Sequence, residues 1–168
     1  RESDRQHLVN EIESRDLTPS LLICSVGVLG RFGSFADTSF STHRSVIDLN
    51  ITSTLDIIYH LIPKMKQLPS SRILILSSTA AYQPVPNLAV YGATKSFLLD
   101  FSHALRIELS GTTISVTCAT PPATMGTNSF YAAGMESTPY FKHVHLSSLA
   151  VVVKRIIDDV LKGAITVC

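Results

Sequence analysis

The chain has 168 residues, of which 45% are apolar and 16% charged, and its formal net charge is +1. That length and balance suit one globular domain with a sizeable core and exclude a disordered chain. The near-neutral charge, with no basic stripe, argues against a nucleic-acid partner, and no apolar run is long enough to span a membrane.

The first predicted element is a short amphipathic helix from residue 4 to about residue 15, with Leu8, Val9 and Ile12 on one side. Thr18 and Pro19 end it. Leu21 to Cys24 reads as a buried strand, and Ser25-Val26-Gly27 turns at its end. The loop from Gly30 to Phe40 carries glycine and phenylalanine and borders the expected site. A long helix follows from about His43 to Leu68. Its apolar residues spread over a wide arc, Asn50 lies in its first half, and Pro63 should kink it late.

Ile73 to Leu76 is a short apolar run bounded by polar residues, the pattern of a strand buried on both faces of a parallel sheet. Ser77, Ser78 and Thr79 put hydroxyls at its C-terminal end, where open α/β sheets bind ligands. After a loop with Pro84, Pro86 and Asn87 comes a helix to about Leu109, carrying Tyr91 and Lys95. Residues four apart share a helix face, so the Lys95 ammonium sits near the Tyr91 phenol and favours its ionised form. A serine thirteen residues before that tyrosine completes a set suited to moving a proton at a substrate oxygen.

Ser110-Gly111 stops the helix, and Thr113 to Cys118 is the next strand. Pro121-Pro122-Ala123-Thr124 follows. Residues 125–146 show little periodicity and read as a substrate lid. His143 and His145 alternate there without a third ligand, so no metal site is expected. Ser147 or Ser148 caps a last helix that Gly163 bounds, and Ala164 to Cys168 is the final strand. Cys24, Cys118 and Cys168 are odd in number and widely spaced. They read as reduced thiols of a cytoplasmic protein, without a disulfide framework or zinc spacing.

Ser78, Tyr91 and Lys95, in the order strand, loop, helix within ILSSTAAYQPVPNLAVYGATK, resemble the short-chain dehydrogenase/reductase family. The resemblance runs over nearly the whole chain and corresponds to the later part of the family's domain. The alternation of helices and strands, with right-handed crossovers, gives one parallel sheet with helices on both faces; the resemblance implies an α/β fold, a Rossmann-like doubly wound parallel sheet whose N-terminal strands are missing from this chain. Residues 1–168 then form a single, N-terminally incomplete domain, and the start at Arg1 fits a fragment or processed product. The implied activity is hydride transfer between an alcohol and a carbonyl with NAD or NADP. Ser78, Tyr91, Lys95 and Asn50 would be the catalytic group. Tyr91, Lys95, Gly27, Pro121 and Thr124 would contact the cofactor. Two departures stand out: Cys24-Ser25-Val26-Gly27 replaces the usual Asn-Asn-Ala-Gly, and Pro122 replaces a glycine. No Gly-x-x-x-Gly-x-Gly turn occurs, so weak dinucleotide binding is expected of the chain alone. The expected partners are a small alcohol or carbonyl substrate and further copies of the chain. A homodimer or homotetramer would pair through the helices of Asn50 and Tyr91, using residues such as Ile51, Leu55, Ile58, Phe97, Leu98 and Leu105. The competing reading is a non-catalytic scaffold that keeps this half of the fold.

Overall fold

The computed structural model of the chain describes residues 2–167. Cys168, placed by sequence in the final strand, lies outside them. Four strands form one parallel sheet in sequential order: β1 Leu21–Cys24, β2 Ser71–Leu76, β3 Ile114–Ala119 and β4 Thr166–Val167. Their register sets Leu22 beside Ile73 and Ile73 beside Val116. Side chains alternate across a strand, so these three share a face and Leu74 belongs to the other.

The first face is covered by two helices. The long helical stretch comprises α2 Phe40–Ile47, a π-helical turn Asp48–Thr52 and α3 Ser53–Met65. The helix after β2 is α4, Ala89–Glu108. Ile58, Leu61 and Met65 of α3 meet Leu98 and Leu105 of α4 over Ile73, Ile75 and Val116. Met65, Ile73 and Ile75 are fully buried, and burying a side chain of this size contributes about 2 kcal/mol. The N-terminal helix α1, Glu2–Ser14, lies against α3, held by an Arg5–Asp56 ion pair at 2.5 Å and by Ile12 at the core's edge. The second face carries α7, Leu149–Leu161, whose Ile156 and Val160 pack on Leu74, Ala119 and Val167.

Four expectations are corrected here. The strand β1 is not buried: Leu21 and Ile23 are 40% and 44% exposed. It is the edge strand of this sheet, and both residues point to the face where α7 packs over β2, β3 and β4. The crossovers are not all of one hand. The strand order always steps the same way, yet α3 and α4 lie on one face and α7 on the other, so the β3–α7–β4 connection has the opposite hand. Right-handedness comes from a strand's twist feeding directly into the next helix, and the long excursion through residues 120–148 breaks that link. The long helix begins earlier than expected, with the Ser39 side chain accepting from Thr42 N. It is also interrupted at Asn50: the hydroxyls of Ser53 and Thr54 bond the carbonyls of Leu49 and Asn50, four residues back, which favours a widened turn. Last, Ile58, Leu98 and Leu105 are used in this chain's own core and not on its surface.

The end of α7 follows the sequence closely. Gly163 adopts φ +76, its N–H bonds Val160 O, and Ala164 N bonds Asp159 O. These two bonds form a Schellman cap, which needs the left-handed conformation glycine adopts at little cost. The segment 125–146 contains only two short helices, α5 Ser129–Ala132 and α6 Pro139–His143. Among the described residues no helix is long and apolar enough to cross a membrane.

Candidate active site

A cavity of about 560 Å³ opens beyond the C-terminal ends of β1, β2 and β3. Ser78, Tyr91 and Lys95 line it together, and so do Gly27, Pro121 and Thr124. The structure therefore brings six of the seven sequence-derived site residues to one space. Asn50, the seventh, lies behind the wall, fully buried.

Each of these side chains has a local reason for its place. Ser78 stands two residues past the end of β2 in extended conformation, and its hydroxyl accepts from Ala80 N at 3.1 Å, opening the 3₁₀ turn Thr79–Tyr82. That bond leaves the hydroxyl proton available to donate into the cavity. Tyr91 stands in the first turn of α4, half-buried against Leu88, Ala133 and Met135. One turn later Lys95 is 5% exposed. Its Nζ donates to Leu76 O at 3.0 Å and lies 5.7 Å from the centre of the Tyr91 ring. Burial pulls the Lys95 ammonium from the ordinary 10.5 down to about 8, with Cys118 acting in the opposite direction. The cause is loss of water around the charge, so near neutral pH the group is still mostly an ammonium but an easily discharged one.

The floor is tied together by bonds that sequence reading did not anticipate. Ser77 Oγ donates to the Lys95 main-chain oxygen at 2.6 Å, clamping β2 to α4. Asn50 Oδ1 accepts from Val28 N at 2.8 Å, and its Nδ2 donates to Val28 O and to Thr94 Oγ1, each at 3.0 Å. Thr94 Oγ1 in turn donates to Tyr91 O at 2.8 Å. Asn50 thus joins the loop after β1 to the turn that carries Tyr91. The loop passes close: a Cβ on Gly27 would sit 3.2 Å from Lys95 Nζ and 3.3 Å from Asn50 Oδ1. The absence of a side chain there lets the loop lie against the lysine.

The opposite wall is formed by Pro121 to Thr124. Thr124 pairs with Ser147 in a parallel bridge, and Thr124 Oγ1 donates to Pro122 O at 2.8 Å. The remaining lining mixes the apolar Phe32, Val85, Leu88 and Met135 with the polar, uncharged Gln83, Asn87, Thr127 and Ser129. Phe32 lies in the loop expected to border the site. Val85, Leu88 and Thr94 had no sequence signal, because their role comes from what the fold sets beside them. Among the described residues no group of three or more His, Cys, Asp or Glu side chains is placed to hold a metal ion.

The position of this cavity defines the class first: an α/β protein with an open cavity at the carboxyl ends of its parallel strands, the place where folds of this class bind their ligands. The family model described as short chain dehydrogenase matches residues 1–135. The chain belongs to that family. It is 34% identical over 118 residues to the human "Dehydrogenase/reductase SDR family member 2, mitochondrial" and 30% identical to the Bos taurus "Dehydrogenase/reductase SDR family member 4". Each match covers 70% of this chain and 42% of the relative, so the matched part spans less than half the length of those proteins. Its fold is similar to that of a short-chain dehydrogenase from Sphingobium yanoikuyae in complex with NADPH, with a TM-score of 0.86 and 23% identity over 99% of this chain and 63% of that one. It is also similar to the closed form of a serine dehydrogenase complexed with NADP+, with a TM-score of 0.78 and 24% identity over 92% of this chain and 64% of that one.

Proposed function

We propose that the protein carrying this chain is an NAD(P)-dependent oxidoreductase that interconverts an alcohol and a carbonyl. The observation that carries the reading is the convergence of Ser78, Tyr91 and Lys95 on one cavity at the strand ends. In the reducing direction the Tyr91 phenol gives its proton to the carbonyl oxygen. Ser78 donates a hydrogen bond to the same oxygen and stabilises the charge that develops there. The Lys95 ammonium, beside the Tyr91 ring, favours the phenolate left behind. Asn50 acts as a positioning residue, holding the Val28 loop and, through Thr94, the turn of Tyr91.

The residues present fit the nicotinamide end of a dinucleotide. Gly27, Lys95, Pro121 and Thr124 would hold it in the cavity, and the bound cofactor supplies the hydride. No glycine-rich pyrophosphate turn occurs in these residues, and the choice of NADP or NAD is set outside them. Both structural neighbours above carry the phosphorylated form in their descriptions, which favours NADP.

The test is Tyr91→Phe in the full gene product. The ring stays and the proton donor goes, so turnover of a ketone with NADPH should fall by a factor of about 100 or more while nucleotide affinity holds. An unchanged kcat refutes the assignment. The same reading includes self-association across the outer faces of α3 and α4, where Tyr59, Phe97 and Ile107 remain exposed. A strictly monomeric gene product in sedimentation at micromolar concentration contradicts that part.

A further inference from the structure

We infer that Ser96, the residue after Lys95, is a positioning residue: its hydroxyl holds the turn that aims Ser78 at the substrate oxygen. The inference rests on the oxidoreductase reading for what Ser78 does, and on hydrogen-bond geometry for how Ser78 is held.

Tyr91 and Lys95 form one stripe along α4. Gly92 and Ser96, each one residue further on, form the neighbouring stripe, about 100° round the helix. The cavity meets the first stripe, and the 3₁₀ turn Thr79–Tyr82 packs on the second. Gly92 lets the turn and the loop after it come close: a Cβ there would sit 3.3 Å from Val85 Cγ2 and 3.8 Å from Ala80 O. One helical turn along, Ser96 Oγ lies 2.9 Å from Ala81 O and 3.2 Å from Gly92 O, so its single proton is shared, with the shorter bond going to the 3₁₀ turn.

Two main-chain donors carry that hold from the turn to Ser78. Ala81 N donates to Ser78 O at 3.0 Å, and Ala80 N donates to Ser78 Oγ at 3.1 Å. The second bond fills an acceptor site of the hydroxyl and leaves its proton to point into the cavity. On the other side Thr79 N donates to Pro121 O at 3.2 Å, so the turn hangs between α4 and the loop after β3. Ser77 Oγ, bonded to Lys95 O at 2.6 Å, ties α4 to the chain just before Ser78. Ser96 ties α4 to the chain just after it. Two serine hydroxyls therefore bracket Ser78 and fix it against the helix that carries Tyr91. Two groups that must meet one oxygen need that registry, because a shift of about 1 Å can cost about 100-fold in rate.

The experiment is a double-mutant cycle in the full gene product, read as kcat for reduction of a ketone with NADPH. Ser96→Ala should lower kcat by a factor of about 10 while KM for NADPH stays within a factor of about 2. In a Ser78→Ala background the same change should cost less than a factor of about 2, because no hydroxyl is left to aim. Hydrogen exchange, read by mass spectrometry on the same proteins, reports on the turn itself. In Ser96→Ala a peptide spanning 77–83 should exchange faster by a factor of about 5 or more, while peptides of α4 keep their wild-type rates. Unchanged kcat in Ser96→Ala, an equal loss in both backgrounds, unchanged exchange of the turn, or faster exchange throughout α4 each overturns the proposal. The two readings fail separately. A Ser78→Ala protein with wild-type kcat, or a wild type that reduces no ketone, refutes the oxidoreductase assignment, and exchange of the turn then decides by itself whether Ser96 holds it.

Discussion

Replacing Lys95 by methionine isolates what it takes to keep a cation under the site. The side chain is 5% exposed, and burial brings its pKa from 10.5 to about 8. At ~1.4 kcal/mol per pH unit, that gap corresponds to about 3.5 kcal/mol by which folding disfavours the charged form. Below pH 8 both folded and unfolded chains hold the proton, and the penalty is present in full. Between 8 and 10.5 the folded lysine is neutral while the unfolded one is still charged, so stability rises with pH. Above 10.5 neither is charged and the penalty is gone. Methionine keeps an unbranched stem and cannot titrate. It also leaves Leu76 O without its donor, worth about 1 kcal/mol, an offset nearly independent of pH. The assay is urea denaturation of wild type and Lys95→Met at pH 7 and pH 10. The wild type should gain on the variant by about 2–3 kcal/mol across that interval, whatever the offset. Other lysines and tyrosines titrate there as well, but they are common to both proteins and cancel. A wild-type minus variant difference that stays constant with pH refutes the claim that Lys95 is held as a strained, buried ammonium.

Gly27→Ala should destabilise the fold by about 1–2 kcal/mol, since its Cβ would press on Lys95 Nζ and Asn50 Oδ1. In the full gene product it should also lower kcat by displacing the lysine; wild-type turnover with wild-type stability contradicts the close approach. Asn50→Ala leaves the N–H and C=O of Val28 unpaired and frees Thr94, so a loss of about 2–4 kcal/mol is expected in thermal or urea unfolding. A loss under about 0.5 kcal/mol would show that water replaces those bonds and that Asn50 is not a fastener.

The order of helices and strands was legible in the sequence, because it rests on local properties. Apolar runs such as Ile73–Leu76, helix periodicity, Gly163 after α7 and Ser110-Gly111 after α4 act within a few residues. Tyr91 and Lys95 meet for the same reason: one helical turn joins them. Ser78 lines the same cavity because the end of a strand and the start of the next helix lie at the same edge of a parallel sheet.

What tertiary structure decided depends on neighbours far away in the chain. The exposure of Leu21 and Ile23 follows from β1 being the edge of this sheet, which an apolar four-residue run cannot reveal. The opposite hand of the β3–α7–β4 connection is a property of the whole path. Asn50 was singled out by the resemblance, but its bonding partners were not: the fold brings Val28 and Thr94 to it from 22 and 44 residues away. The low pKa of Lys95 is the plainest case. Its identity and its distance from Tyr91 are written in the sequence, but desolvation is a sum over every atom that displaces water. Only the packed α4, the end of β2 and the Gly27 loop together supply that sum.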